Sequence, residues 1–329
     1  MDRHSRERSL RSGLTIKPYE CESTLIAAAP TALASVRVEG RAWVDNAGVE
    51  DETVLLFRPV WPAELDLVLA SGWRRWPPRL PEQPIFYPVT NFQYAREIAE
   101  KWNVSESRAG YVTRFRVRAA FMNAYAVHTV GGSNHMEWWV PAEDLEELNA
   151  QIVGRIEVIA SYGQSSSMGE EHLLQIETAV GDILTQDVEA IVNPWNRNFI
   201  PWWLLVPQGV SGAIRRAAGS KPFQEIRRYG VLRRGDAVLT SAGRLPFRGI
   251  VHVAALTVLW RSSLDIVQTC VRNALAVATR ERFRSVAIPL IGAGTGGLNG
   301  GLVSEIILEE IARSSFAGRA IVVSFPTAG

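Results

Sequence analysis

Two glycine-bearing loops are the stretches of this sequence best suited to hold an anion. The second loop, residues 292–297, follows the apolar run Val286–Ile291, and helical spacing resumes at Leu302. The first loop, residues 209–212, precedes a helix-like segment that ends at Gly219. A diphosphate requires close backbone approach and several N–H donors, and glycine loops at helix N-termini supply both. The pattern therefore predicts a phosphate cleft with two walls.

Two widespread phosphate-binding motifs do not fit these loops. The dinucleotide pattern Gly-x-Gly-x-x-Gly follows an early strand and has an acidic residue about 20 positions further on. The loop here begins late, at Gly292, and no strand-end acid follows at that distance. The nucleoside-triphosphate loop needs Gly-Lys-Ser/Thr, which this sequence lacks. A tight turn without a ligand is the remaining alternative for each loop.

Five sequence blocks in this order resemble the macrodomain family. They are Gly181–Ile183, Ala190–Asn193, Gly212–Gly219, Val251–Ala255 and Ile288–Gly294. The resemblance covers about residues 172–329. It implies a three-layer α/β/α domain with a mixed sheet and a cleft that binds ADP-ribose.

The same resemblance implies roles for individual residues. Asp182 would accept a hydrogen bond from the adenine amino group, Asn196 would face the distal ribose, and Phe325 would stack on adenine. The alternatives are a turn or helix cap for Asp182, a turn for Asn193 and Asn196, and plain packing for Phe325. Ser211 is also a natural N-cap for a helix beginning at Gly212. The full predicted ligand-binding set is Asp182, Ile183, Asn193, Asn196, Gly209, Val210, Ser211, Gly212, Gly292, Ala293, Gly294, Thr295, Gly296, Gly297, Leu298 and Phe325.

Departures from the family pattern favour binding over catalysis. The commonest hydrolases of this family have Gly-Gly-Val-Asp in the first loop, where this chain has Gln208–Ser211. They also have an aromatic residue where this chain has Gly296. A serine hydroxyl cannot act as a base near pH 7 without a partner, and His252 fits a hydrogen-bonded core position better than a catalytic one. We therefore predict a module that binds ADP-ribose or an ADP-ribosylated or NAD-derived ligand, with ADP-ribosyl hydrolysis as the alternative.

Residues 52–162 mix strand-like and helix-like segments without a regular βαβ repeat, which predicts an α+β domain. Three positions resemble the ADP-ribosyltransferase-like fold. The resemblance implies that Arg58 holds the phosphates of NAD, Tyr87 stacks on nicotinamide and Glu137 stabilises the positive charge that develops at the ribose. A solvent-facing strand residue is the alternative for Glu137. An active NAD-dependent ADP-ribosyltransferase in this domain is the second alternative function. His135 stands where this family usually has Gln or Glu, and Tyr111–Val117 alternates like a half-exposed strand.

Composition limits the remaining function classes. The chain has 329 residues and a net charge of +1 with acids and bases interspersed, so charge alone does not indicate a nucleic-acid partner. No apolar run approaches the ~20 residues that span a bilayer. Cys21 and Cys270 give neither a disulfide framework nor a metal-ligand spacing, so we expect a reducing cytoplasm and no structural metal.

The predicted organisation has four parts. Residues 1–51 are expected to form a tail or linker, and the polar stretch 163–171 is expected to link the α+β domain at 52–162 to the macrodomain at 172–329. We expect no tightly bound cofactor. The expected ligand is ADP-ribose, free or on a macromolecule, with NAD for the N-terminal domain and no membrane partner.

Overall fold

The computed structural model describes residues 52–163, 174–197, 209–256, 261–294 and 296–325. The predicted tail, most of the predicted linker and Thr295 lie outside these ranges, so the predicted domain boundaries stay predictions. The described chain forms an N-terminal and a C-terminal unit. None of the described helices is long and apolar enough to cross a membrane.

The N-terminal unit is built on a small antiparallel sheet with short helices. A π-helical segment, Ile98–Asn103, joins α2 to α3. The elements are β1 (Thr53–Val60), α1 (Pro62–Ala70), β2 (Ile85–Phe86), α2 (Phe92–Glu97), α3 (Val104–Ser107), β3 (Ala109–Arg118), α4 (Ala119–Met122), β4 (Val127–Thr129), β5 (Met136–Trp138), β6 (Val140–Pro141), α5 (Leu145–Ala150) and β7 (Ile152–Gly163).

The strand predicted at Tyr111–Val117 is confirmed, and its second face is less exposed than the alternation predicted. The segment lies in β3, which is the centre of the sheet order β1-β3-β7. Tyr111 and Thr113 are both buried, and the Thr113 hydroxyl donates to the Arg58 carbonyl at 2.8 Å. Of the two arginines that suggested a solvent face, only Arg116 is exposed. Arg114 is instead drawn inward by acceptors from the C-terminal unit.

The C-terminal unit contains a six-stranded mixed sheet in the order β10-β11-β9-β12-β13-β8. Five strands run parallel, and β10 pairs antiparallel with β11 at one edge. The elements are β8 (Gln175–Val180), β9 (Ala190–Trp195), α6 (Gly209–Ala218), α7 (Lys221–Ile226), β10 (Ala237–Thr240), β11 (Gly249–Ala254), α8 (Leu264–Arg280), β12 (Ser285–Pro289), α9 (Gly300–Arg313) and β13 (Arg319–Ser324).

The four inner strands of this sheet, β11, β9, β12 and β13, are buried on both faces, which explains their continuous apolar runs. Val286 and Ile288 of β12 pack in one cluster with α8 and α9, whereas Ala287 packs on the other side in a cluster with α6 and α7. The same alternation holds along β9, β11 and β13. Helices therefore cover both faces, and the predicted three-layer α/β/α architecture with a mixed sheet is confirmed.

The two units share one continuous hydrophobic cluster that joins α2 and β3 to α8 and α9. Polar contacts surround the junction. Glu309 of α9 accepts from the backbone N–H of Phe92 at 2.9 Å and so caps α2. Arg114 donates to the carbonyls of Ala312 and Ser314 at 2.7 Å each, at the C-terminal end of α9. A cation there compensates the negative end of the helix dipole.

Candidate functional site

The carboxyl ends of β8, β13, β12, β9 and β11 lie at one edge of the sheet because these strands are parallel neighbours. Ligands of open α/β sheets bind in crevices outside the carboxyl ends of the strands. The predicted site residues follow these strands directly. Asp182 comes after β8, Phe325 after β13, the second glycine loop after β12 and Asn196 after β9. The fold therefore brings these separate parts of the sequence together at one edge.

Asp182 and Phe325 leave the sheet side by side. Ser324 is paired with Val180 across β13 and β8, and the Gly181 N–H donates to the Ser324 carbonyl at 2.8 Å. The ring of Phe325 is 53% exposed, so it presents a face to solvent where β13 ends. An exposed aromatic beside a carboxylate can stack on a planar base and accept a hydrogen bond from its edge.

The capping alternative for Asp182 is also observed. Its Oδ1 accepts from the Leu184 N–H at 2.9 Å and caps a single 3-10 turn. A carboxylate has a second oxygen that a ligand donor can use, so the two roles are compatible. Ile183 is only 1% exposed, and its side chain packs in the core. Only the backbone of Ile183 can therefore face a ligand.

The first loop is the start of α6 itself. The helix begins at Gly209, which has a φ of 57°. The prediction that Ser211 is the N-cap is wrong, because α6 starts two residues earlier and Ser211 lies in its first turn. The first four N–H groups of a helix have no partner within the helix, and residues 209–212 supply these donors. The Ser211 hydroxyl is buried and has no hydrogen-bond partner among the described residues.

The second loop folds tightly on itself. Gly292 and Gly297 have φ values of 82° and 74°, a region that favours glycine. A Cβ at Gly296 would lie 2.5 Å from the Gly292 carbonyl oxygen, so this position has no room for a side chain. Gly294 faces open space and is exposed. The loop then enters α9 through Asn299, which accepts from the Leu302 N–H at 3.1 Å.

The predicted set for the second loop also includes three residues other than glycine. Ala293 and Leu298 are half-buried and pack against the cluster that contains α8 and α9. Thr295 lies outside the described residues. The loop thus combines two anchored side chains with exposed backbone at Gly294, whereas the Gly297 N–H already donates to the Gly294 carbonyl at 3.1 Å. This arrangement can present backbone N–H groups to an anion while holding them in a fixed geometry.

A buried polar chain lies on β9, β11 and β10, beneath the carboxyl edge. Asn193 Nδ2 lies 2.9 Å from His252 Nδ1, and Thr240 Oγ1 lies 2.8 Å from His252 Nε2. Burial lowers the pKa of His252 to about 3, so the imidazole is neutral at pH 7. His252 is thus the hydrogen-bonded core residue that the sequence predicted. Asn193 Oδ1 is buried and accepts no hydrogen bond from any described residue.

Sequence reasoning missed Ser262, which precedes α8 and borders the second loop. Its N–H donates to the Gly296 carbonyl at 3.5 Å, and its Oγ lies 3.1 Å from where a Cβ on Gly292 would stand. The hydroxyl is buried and has no hydrogen-bond partner in the part of the chain that the structure describes. The only sequence signal was a Ser-Ser pair before a helix, which is typical of capping.

The three predicted transferase residues form one group in the N-terminal unit. Arg58 Nη1 donates to the Tyr87 carbonyl at 3.2 Å, and the Tyr87 ring meets the Trp139 ring edge-on at 6.1 Å. Trp139 Nε1 donates to Glu137 Oε1 at 2.7 Å. Burial raises the pKa of Glu137 above its usual value.

The guanidinium of Arg58 already forms an ion pair within the N-terminal unit. Its guanidinium is 7% exposed, binds the Glu64 carboxylate at 2.8 Å and 3.3 Å, and lies 4.4 Å from the centroid of the Phe86 ring. Removing one partner of such a buried pair is strongly destabilising. These contacts give Arg58 a structural role that competes with phosphate binding.

Comparison with known proteins identifies the C-terminal unit. The sequence model of the macro domain family matches residues 192–307. A macro domain-containing protein of Listeria monocytogenes serotype 4b is 34% identical over 146 residues, which cover 42% of this chain and 79% of that protein. The chain belongs to the macro domain family.

The C-terminal unit is also similar to a second named protein and to a solved macrodomain structure. A protein of Enterobacter sp. named O-acetyl-ADP-ribose deacetylase is 32% identical over 145 residues, covering 42% of this chain and 77% of that protein. A solved macrodomain of Oceanobacillus iheyensis with ADPR is 29% identical, with a TM-score of 0.40 and coverage of 46% of this chain and 86% of that one. The residues matched by the family model lie within the C-terminal unit, so the transferase-like resemblance of residues 52–162 stays a prediction.

Proposed function

We propose that the macro domain of this chain is a binding module for ADP-ribose, free or attached to a macromolecule. The observation that supports this proposal most directly is the pair of glycine loops at the carboxyl edge. One loop forms the first turn of α6 and the other leads into α9. In this proposal adenine lies between Asp182 and Phe325, and the diphosphate lies between the two loops. The distal ribose then lies beside Asn196.

Charge and geometry support the diphosphate position. Both loops offer backbone N–H groups at the positive end of a helix dipole, which stabilises anions. The α6 helix has ten residues and α9 has fourteen, so each carries a developed dipole. The relative named O-acetyl-ADP-ribose deacetylase supports ADP-ribose as the ligand.

Three features argue against hydrolysis by this domain. Ser211 stands in place of the carboxylate that would polarise water, and no described residue forms a hydrogen bond with its hydroxyl to activate it. His252 is a poor base because its pKa lies near 3, and Asn193 and Thr240 occupy both of its ring nitrogens. Gly296 has no room for the aromatic clamp. Binding without turnover is the function that these residues support best.

Isothermal titration calorimetry of the full chain with ADP-ribose, ATP and NAD tests the binding proposal. We expect ADP-ribose to bind most tightly, because only it fills the adenine, diphosphate and distal ribose positions with a free terminal ribose. The absence of detectable heat and competition at millimolar ADP-ribose would refute the proposal.

Removal of an acyl or protein group from ADP-ribose is the second candidate function. The relatives named O-acetyl-ADP-ribose deacetylase favour it. Incubation of the full chain with O-acetyl-ADP-ribose, or with a protein ADP-ribosylated on acidic residues, tests it by measuring free ADP-ribose. We expect stoichiometric binding and little release. Multiple turnover at ordinary enzymatic rates would show that the domain is an enzyme rather than a binding module.

ADP-ribosyl transfer from NAD in the N-terminal unit is a further candidate, favoured by the clustering of Arg58, Tyr87 and Glu137. The half-buried Glu137 carboxylate beside two aromatic rings could stabilise a cationic ribose. Release of nicotinamide from NAD by the full chain, and its loss in Glu137→Gln, are the expected results under this hypothesis. Equal nicotinamide release by both proteins would remove the hypothesis.

A further inference from the structure

A strongly basic segment lies within the macro domain of an almost neutral chain. Residues 209–248 contain nine Lys or Arg residues and two acidic residues, which gives a net charge of +7, against +1 for the whole chain. Both acids are engaged locally. Glu225 accepts from the N–H and hydroxyl of Ser241, and Asp236 accepts from the Arg233 N–H.

Four of these arginines form two adjacent pairs in a short stretch, residues 227–234, which we name the arginine loop. Arg228, Arg233 and Arg234 all have exposed side chains. Tyr229 lies between the pairs and is 52% exposed, while its hydroxyl donates to the Leu239 carbonyl at 3.1 Å. That hydrogen bond anchors the tyrosine ring at the edge of the sheet. The arginine loop is therefore a positive surface with a positioned aromatic ring.

The arginine loop is bonded to the carboxyl edge of the sheet. Leu232 exchanges two hydrogen bonds with Arg197, one from its N–H at 3.1 Å and one to its carbonyl at 2.8 Å. Gly235 donates to the Ala254 carbonyl at 3.1 Å, at the end of β11. Arg197 directly follows Asn196, so these contacts place the loop next to the proposed ribose position.

The order of the sheet then sets the direction in which a ligand extends. The proposed adenine position is at β8 and β13, the diphosphate is at β12 and β9, and the distal ribose is at the end of β9. The next strands in the sheet are β11 and β10, whose ends carry the arginine loop. A group joined to the distal ribose therefore leaves the cleft over this loop.

We propose that the arginine loop binds the sugar–phosphate backbone of a nucleic acid, so that the macromolecule carrying ADP-ribose is a nucleic-acid strand. This inference rests on the proposed function. Arginine matches phosphate geometry with its planar, bidentate donors. Aromatic and arginine side chains together provide stacking surfaces for the bases of single strands. An acidic peptide would satisfy the charge but would leave the exposed Tyr229 ring without a stacking partner.

Fluorescence anisotropy of the full chain with labelled single-stranded DNA and RNA oligonucleotides of 12 nucleotides, over a salt series, tests this inference. The test variant is Arg228→Gln/Arg233→Gln/Arg234→Gln. Each phosphate contact contributes about 0.7 to the salt slope of single-strand binding. We expect the triple variant to lower that slope by roughly 2 and to weaken binding at least tenfold at low salt. The DNA and RNA arms distinguish the two backbones.

The matched control is Arg74→Gln/Arg116→Gln/Arg155→Gln, which removes the same charge from exposed positions of the N-terminal unit. We expect this control to bind the oligonucleotides nearly as tightly as the wild type. Equal losses in the two triple variants, no binding of either oligonucleotide, or equally tight binding of polyglutamate would each overturn the inference.

Calorimetry with free ADP-ribose separates this inference from the proposed function. Free ADP-ribose does not reach the arginine loop, so its affinity should be the same in the wild type and in both triple variants. If ADP-ribose fails to bind while oligonucleotide binding still depends on the arginine loop, the proposed function fails and the nucleic-acid surface stands.

Discussion

Replacing Gly296 by alanine tests whether the second loop requires its compact geometry. A Cβ at this position would lie 2.5 Å from the carbonyl oxygen and 2.7 Å from the Cα of Gly292. Both atoms are backbone, so no flexible side chain can move aside to relieve the clash. The loop must open, and the backbone donors that face the proposed diphosphate move with it. We therefore expect Gly296→Ala to reduce both stability and ADP-ribose binding.

The expected size follows from comparable overpacking in protein interiors, which costs about 1–3 kcal/mol. For a domain of 150–250 residues, each kcal/mol lowers Tm by roughly 2–4 °C. Displacement of the loop should also weaken ADP-ribose binding, and each ~1.4 kcal/mol lost corresponds to a tenfold higher Kd. Thermal unfolding and calorimetry of the full chain measure the two effects separately.

Gly294→Ala is the matched control, because a Cβ at Gly294 meets no atom within 4 Å. The two variants add the same methyl group to the same loop, two residues apart. We expect Gly294→Ala to leave Tm within about one degree of the wild type, since exposed substitutions away from special features change stability little. Equal Tm values for the two variants would refute the steric argument.

Three further predictions concern single residues. Asp182→Ala should weaken ADP-ribose binding by the ~1.5–3 kcal/mol of a charge-assisted hydrogen bond. Asp182→Asn should keep the cap on Leu184 and therefore the Tm of the wild type. Unchanged ADP-ribose affinity in both variants would contradict the proposed adenine position. Because the pKa of His252 is lowered to about 3, the unfolded chain binds an extra proton between pH 3 and 6.5. Unfolding free energy should therefore fall by up to about 1.4 kcal/mol per pH unit as pH drops below 6.5, and a flatter slope in His252→Gln checks the assignment. Arg114→Gln should destabilise the chain by about 1.5–3 kcal/mol, measured by urea unfolding, because it removes charged donors from two carbonyls at the end of α9; an unchanged midpoint would show that this contact contributes nothing.

The resemblance of five sequence blocks to the macrodomain family predicted the architecture of the C-terminal unit, and the apolar pattern agrees with it. Strands buried on both faces appear as continuous apolar runs, and Val286–Ile291 is of this kind. The predicted residues at the strand ends meet at one edge because parallel neighbours share a direction, which is a property of the fold class. The polar chain around His252 was also predictable in part, since a histidine inside an apolar strand needs hydrogen-bond partners.

The residue at which a helix begins and the burial of individual side chains were harder to predict. Ser211 fits the N-cap preference, yet α6 begins two residues earlier, at Gly209. The alternation of Tyr111–Val117 overstated the exposure of the second face of β3, because Arg114 bonds to acceptors that are distant in sequence. The absence of space at Gly296 depends on how the loop closes on Gly292. Each of these properties is set by contacts between residues that sequence periodicity does not connect.

The net charge of the whole chain did not reveal the basic segment. A net charge of +1 averages the basic segment 209–248 with the rest of the chain, which is therefore acidic. Only the sheet order shows that the arginine loop follows the proposed ribose position. Net charge informs on solubility and association, whereas recognition depends on where charges of one sign collect.

The helix α9 connects the two units of the chain through opposite ends. Its N-terminal end follows the second glycine loop and is capped by Asn299, so its positive end faces the proposed diphosphate. Its C-terminal end is bound by Arg114 of the N-terminal unit, whose charge offsets the negative end of the helix. The side chain of Glu309 in the same helix caps α2. Because one helix is anchored at the phosphate loop and at the N-terminal unit, that unit supports the geometry of the macro domain site whether or not it has an activity of its own.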